Sequence, residues 1–139
     1  MQTQVQAYLF FDGRCEEALQ YYSKHLGAKT ERLMRFKESP EAQPPGMKVP
    51  GDKVMHAAFR IGETQLLASD GMANGNPRFE GISLAITARD DAETKRMFNA
   101  LADGGKVTQP LTKTFFTSSF GMVVDRYGVH WMVLSQVAQ

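Results

Sequence analysis

The chain repeats itself. A shift of 77 residues carries Tyr21 onto Phe98, Gly27 onto Gly104 and Lys29 onto Lys106, and the surrounding elements recur in the same order. An internal duplication limits the fold more than any single motif, because each copy must be a supersecondary unit that packs in the same way. The repeated unit reads as a strand, a helix and three further strands. One helix covers one face of a four-stranded sheet, so the other face needs the sister sheet or a bound ligand to cover it. The expected class is α+β: one domain over 1–139 made of two βαβββ modules, about 1–76 and 77–139, each a mixed sheet covered by a helix.

Local signals place the elements. Val5 to Phe11 is an apolar, aromatic-rich run closed by Asp12-Gly13, which reads as a strand. Cys15 to Leu26 carries Ala18, Leu19, Tyr22 and Leu26 at helical spacing, with Glu16 and Glu17 in its first turn and Gly27 as a stop. Thr30 to Phe36 is a strand, whereas Lys37 to Lys53 contains Pro40, Pro44, Pro45 and Pro50 without periodicity and reads as a long loop. Val54–Ile61 and Thr64–Ser69 flank Gly62-Glu63 as a hairpin. Asp70 to Asn76 then reads as a linker. In the second copy, Ile82 to Ala88 is a strand and Asp91 to Asp103 a helix with Met97, Phe98, Leu101 and Ala102 inward. Lys106–Gln109, Phe120–Asp125 and Val129–Leu134 follow as strands.

Composition excludes several classes. Hydrophobic residues make up 42% and charged residues 22%, which fits a packed globular core and not a disordered chain. Lys plus Arg number 16 against 15 for Asp plus Glu, a net charge of +1 that offers no field to grip nucleic acid. The apolar runs are far shorter than the roughly 20 residues of a membrane span, and the N-terminus lacks a secretory signal pattern. The single cysteine, Cys15, is expected to be a partly buried thiol near a helix start and suits the reducing cytoplasm. Neither a P-loop nor a dinucleotide fingerprint is present, and Gly71-Met-Ala-Asn-Gly75 matches neither.

Specific strings carry a family resemblance. Tyr8-Leu-Phe-Phe-Asp-Gly13 leads into Glu16-Glu-Ala-Leu-Gln-Tyr-Tyr22 and Leu26-Gly27. Gln65-Leu-Leu-Ala-Ser-Asp-Gly71 lies in the middle, and Phe120-Gly-Met-Val-Val-Asp-Arg-Tyr-Gly-Val-His-Trp-Met-Val133 lies near the end. Together with the βαβββ repeat, these resemble the PhnB-like branch of the vicinal oxygen chelate superfamily, which includes glyoxalase I, extradiol dioxygenases and bleomycin-resistance proteins. The resemblance implies a cupped glyoxalase-like fold, a homodimer, and a divalent metal held by His or Glu from the first and last strands of each module. Such a metal polarises neighbouring substrate oxygens. At those positions this chain offers Gln6 (or Tyr8 if the register slips by one pair), Leu67, Ser83 and Met132, which do not form a ligand set for zinc, nickel or iron. The expectation is therefore no metal and no cofactor.

Strand alternation nominates the ligand-binding residues. Gln6, Tyr8 and Phe10, His56, Ala58 and Arg60, and Ser83, Ala85 and Thr87 face away from the helices, as do His130 and Met132. Tyr8, His56, Arg60, Gln65, Ser69 and His130 then line a mixed cleft suited to a small organic molecule with an anionic or carbonyl end. Phe116 joins them, since a Trp often holds its place in the PhnB-like branch. His56 and His130 are the candidate acid or base residues, while His25 in the last turn of its helix complements the helix dipole. Arg60 suits a carboxylate ligand or a surface ion pair.

The resulting expectation is a cytoplasmic, metal-independent, small-molecule-binding homodimer that meets neither nucleic acid nor membrane. One alternative is a glyoxalase-type lyase, isomerase or hydrolase, or a dioxygenase-like enzyme, with a divalent metal and His56 or His130 as base. Another is a drug-sequestering resistance protein. Relatives in this branch are also described as demethylubiquinone methyltransferases, but no glycine-rich strand-to-helix turn for S-adenosylmethionine is present.

Overall fold

The structure is a computed structural model that describes residues 2–46 and 48–137. The described residues form two compact units, one ending at Pro77 and the other beginning at Arg78. The first contains β1 (Tyr8–Phe10), α1 (Cys15–Leu26), β2 (Lys29–Arg35), β3 (Val54–Ile61) and β4 (Thr64–Ser69). Its sheet runs β1-β4-β3-β2, with β1 parallel to β4 and the other pairs antiparallel. The second contains β5 (Leu84–Ala88), α2 (Asp91–Ala102), β6 (Lys106–Thr112), β7 (Phe120–Val124) and β8 (His130–Ser135), ordered β5-β8-β7-β6 with the same directions. This is the α+β arrangement of two βαβββ modules, each a mixed sheet packed on one helix.

The duplication extends to backbone irregularities. The β2/β3 ladder slips between Thr30 and Arg32, and the β6/β7 ladder slips between Val107 and Gln109, which are the same places after a shift of 77. Within the helices the equivalence differs by one. Tyr22, not Tyr21, is the fully buried aromatic of α1, so it is Tyr22 that corresponds to the buried Phe98, at an offset of 76.

The core sits between each helix and the sheet face it covers. In the first unit Tyr22 stacks on Phe59 at 6.3 Å and tilts against Phe11 at 6.2 Å. In the second, Trp131 and Val133 alternate with half-buried neighbours along β8, and Phe98 and Leu101 of α2 are buried. α1 has the predicted bounds, with Glu16 and Glu17 in its first turn, and Gly27 ends it in the left-handed region at φ 69°. The β3–β4 hairpin also has the predicted bounds.

Several expectations need correction. β1 and β5 are shorter than the apolar runs that suggested them, because each is an edge strand with a partner on one side only. Val5 and Ile82 are left 95% and 70% exposed. β6 runs past Gln109 through Pro110, which an edge strand tolerates because no ladder bond needs its missing N–H. Ala102 is only half-buried, and Thr94 takes the inward place, its hydroxyl bonded to Asp90 O and Ser135 Oγ. The stretch 70–76 is not a loose linker. The Asp12 carboxylate accepts from Asn74 N and Asn76 N, and Gly75 N donates to Asp12 O, tying it into the first unit. The proline-rich loop begins with a short 3₁₀ turn at Phe36–Glu38 and folds back, with Gln43 exchanging two hydrogen bonds with the buried Val49.

Candidate functional site

The first helix is seated by a distant carboxylate. Asp70, 1% exposed just past β4, accepts from Gly13 N (2.9 Å), Cys15 N (2.7 Å) and Val54 N (2.7 Å). These donors include amides at the helix start that otherwise lack partners. Cys15 is fully buried rather than partly so, and burial, reinforced by the Asp70 and Glu16 charges, pushes its thiol well up. A thiol held protonated in this way is no nucleophile.

The sheet face turned away from α1 carries the polar candidates of the first unit. Tyr8 stacks on Phe10 with ring centroids 4.9 Å apart and planes 18° apart, and both rings are open to solvent, 39% and 53% exposed. Alternation puts both on this face while Leu9 turns inward. Tyr8 Oη lies 2.9 Å from His56 Nδ1, so β1 and β3 bring two of the predicted residues together. Partial burial pushes the Tyr8 phenol up, which keeps its proton on.

Arg60 and Gln65 form a second cluster on the same face. Gln65 Nε2 donates to Glu31 at 3.0 Å and Gln65 Oε1 accepts from Gln6 Nε2 at 2.8 Å. Arg60 contacts Glu31 at 3.4 Å and donates to Glu63 O. The hydrogen bond from Gln65, then the charge of Arg60, hold the Glu31 carboxyl below its ordinary value. These polar groups are thus engaged with one another. Ser69 is 4% exposed, its hydroxyl donating to Val54 O and accepting from Gly71 N. It closes the end of β4 and offers no free hydroxyl to a ligand.

Phe116 and His130 belong to the other unit. Phe116 meets Phe115 at 5.2 Å and Phe120 at 5.6 Å, both edge-on, on a loop where Phe115 is fully exposed. His130 is half-buried on the face of β8 that also carries Met132 and Leu134, opposite Val124. The sheet surface here is rich in sulfur and hydrocarbon, with Met122 paired to Met132.

The positions at which the resemblance implies metal ligands can be tested against the registers. Tyr8 pairs with Leu67 and Ala85 with Met132, while Gln6 and Ser83 precede the first residues of β1 and β5. A phenol, an amide, a hydroxyl, a thioether and aliphatic chains do not fit a divalent ion. No group of three His, Cys, Asp or Glu side chains suited to a metal occurs among the described residues.

Sequence reasoning left out Phe10 and Glu31 as site residues. Phe10 lies two residues from Tyr8 and so shares its face, a signal that was available. Glu31 could be placed only once β2 was known to lie beside β3, with its ladder slip at that residue.

Comparison with known proteins agrees with this frame. Residues 3–134 match the family described as 3-demethylubiquinone-9 3-methyltransferase. Protein YjdN of Escherichia coli K12 is 35% identical over 133 residues, covering 91% of this chain and 90% of that protein. The crystal structure of PA1353 from Pseudomonas aeruginosa is 41% identical, with a TM-score of 0.84 over 97% of this chain and 98% of its own. A PhnB protein from Bacillus cereus is 25% identical, with a TM-score of 0.80 over 96% and 100% of the two chains. A glyoxalase-related enzyme from Fulvimarina pelagi, 16% identical with a TM-score of 0.62 over 98% and 89%, shares the fold.

Proposed function

This chain belongs to the 3-demethylubiquinone-9 3-methyltransferase, or PhnB-like, family, and on that premise we propose that it is a metal-independent protein that binds a small organic molecule. The observation that carries the reading is the open Tyr8–Phe10 shelf with His56 beside it. Two stacked rings left in solvent on an otherwise packed unit provide an apolar platform, and a polar side chain at its border orients what lands there. The ligand class that suits it is a flat ring bearing an anionic or carbonyl group. The donor set at the metal positions supports metal independence. We also read the protein as cytoplasmic, which the single, fully buried Cys15 suits, and as a homodimer, which the resemblance to its superfamily implies.

Methyl transfer, which the family description names, finds less support in the residues present. Each strand-to-helix turn spends its amides on the protein itself, Gly13 and Cys15 on Asp70 and Glu93 on Asp90. Neither provides the glycine-rich cradle that S-adenosylmethionine would use.

The test is an NMR titration of chelator-stripped protein with planar aromatic acids, repeated after adding Zn²⁺, Ni²⁺, Mn²⁺ and Fe²⁺ in turn. Shifts centred on Tyr8, Phe10 and His56 that need no ion are expected. Binding that requires a metal, or stoichiometric uptake of one ion, would overturn the reading.

A further inference from the structure

Tyr8 Oη and His56 Nδ1 lie 2.9 Å apart, close enough to hydrogen-bond. The contact itself fits either direction, but a phenol is a stronger acid than an imidazole N–H and an imidazole nitrogen is a stronger base than a phenolic oxygen, so chemistry favours Tyr8 Oη as donor and His56 Nδ1 as acceptor. A neutral imidazole that accepts at Nδ1 carries its own proton at Nε2. Nε2 has no hydrogen-bond partner among the described residues, and the ring sits 5.7 Å from that of Tyr8, tilted by 51°. With Nδ1 on Tyr8, Nε2–H is the one donor left to a ring that stands beside the Tyr8–Phe10 pair.

We propose that Tyr8 is a positioning residue that fixes His56 as an Nε2–H donor, and that this donor selects flat ring ligands carrying an oxygen acceptor, a carbonyl or a carboxylate. The inference rests on the ligand-binding reading of this face and deepens it. It also sets a limit on chemistry. In this tautomer Nε2 has no free lone pair, so His56 recognises an oxygen and does not abstract a proton from the ligand. Tyr8 then has two roles, with its ring forming half of the shelf and its hydroxyl setting the polarity of the neighbour. Arg60 and Gln65 form a separate cluster on this face with Glu31, Glu63 and Gln6, and neither bonds to Tyr8 or His56.

The experiment uses ¹⁵N-labelled full-length protein, wild type and Tyr8→Phe, with 2-naphthoate and 2-naphthylmethylammonium as probes. The variant keeps the ring over Phe10 and removes only the hydroxyl. Histidine ring ¹⁵N spectra should show His56 unprotonated at Nδ1 and protonated at Nε2 in the wild type, with a mixture of tautomers in Tyr8→Phe. 2-Naphthoate should shift the Nε2 signal and bind the variant about 2-fold more weakly, the factor by which an even mixture of tautomers dilutes the Nε2–H form, while the ammonium probe is indifferent to the substitution. The proposal is overturned by a proton on Nδ1 in the wild type, by a variant that changes neither tautomer nor affinity, or by a face that takes the ammonium but not the carboxylate. If neither probe moves Tyr8, Phe10 or His56, the ligand-binding reading falls and this inference with it. The tautomer, measured without a probe, separates that failure from an error about Tyr8 itself.

Discussion

The two units share a backbone frame and differ in how they fill it. On the helix side, Phe59 pairs with Leu66 in the first unit, and at the same place in the second Val123 pairs with Trp131. The large ring has moved from the third strand of the module to the fourth. One step along, Ala57 pairs with Ala68, while Gly121 pairs with Val133. Methyl groups removed from one strand are restored on its neighbour, as close packing demands of a core of fixed volume. The outer faces exchange chemistry as well as size. Tyr8, Leu67 and Ala58 stand in line in one unit, and Ala85, Met132 and Met122 in the other. The inner faces therefore stay close in volume, while the outer faces differ in chemistry, with a phenol and an imidazole in hydrogen-bond contact in the first unit and paired methionines in the second.

The sharpest contrast lies at the helix starts. α1 depends on Asp70, a buried carboxylate from the end of the sheet, whereas Asp90 caps α2 locally through one bond to Glu93 N at 2.8 Å. Asp70→Ala strands the amides of Cys15 and Val54 in the interior and should cost about 3–5 kcal/mol. Asp90→Ala removes an ordinary N-cap and should cost about 1 kcal/mol. Urea unfolding followed by circular dichroism measures both, and equal losses would erase the distinction between the two anchors.

These anchors also show what a sequence makes legible. α1, the β3–β4 hairpin and the order of elements were readable because each depends on neighbours within a few residues: the spacing of Ala18, Leu19 and Tyr22, the turn at Gly62, the stop at Gly27. The face shared by Tyr8 and His56 followed from alternation alone. The role of Asp70 did not, because its partners Gly13 and Cys15 lie more than fifty residues away and an aspartate before a glycine looks like any turn. Ser69 was misleading for a related reason. Its alternation places it among the outward residues, but the chain turning back at Gly71 covers it and uses its hydroxyl.

The exchange of volume between strands can be tested at one position. A Cβ added to Gly121 would meet Phe98 Cε1 at 2.5 Å and Leu111 Cδ2 at 2.9 Å, and its φ requires no glycine, so the demand is for space alone. Gly121→Ala should cost about 1–3 kcal/mol, and combining it with Val133→Ala, which gives Phe98 and Leu111 room to shift, should cost less than the sum of the two single changes. Trp131 is the only tryptophan, so its fluorescence reports unfolding of the second unit directly. Additive losses in the double variant would mean that the two strands do not share volume.

The smallest effect separates two kinds of carboxylate. Glu16 is held below its ordinary value chiefly by hydrogen bonds from Arg35, an ion pair that ties the end of β2 to α1. Asp91 is lowered by the hydroxyls of Ser118 and Ser135, which are neutral donors. In both cases the folded value lies below the unfolded one, so the stabilisation is complete above the unfolded carboxyl range, near pH 4, and is lost as pH falls through the folded value. Salt should distinguish them. At neutral pH and low salt, Glu16→Gln should lower the urea midpoint by on the order of 0.2 M, and 0.5 M NaCl, a concentration chosen to shorten the Debye length to about 4 Å, should shrink that difference. Asp91→Asn should lower the midpoint by an amount that salt changes less, because its hydroxyl-to-carboxylate bonds carry no second charge to screen and only its place in the first turn of α2 responds to salt. An Asp91 as salt-sensitive as Glu16 would mean that it answers to a cation beyond the two serines, and would remove the contrast between an ionic strut in one unit and a hydroxyl clasp in the other.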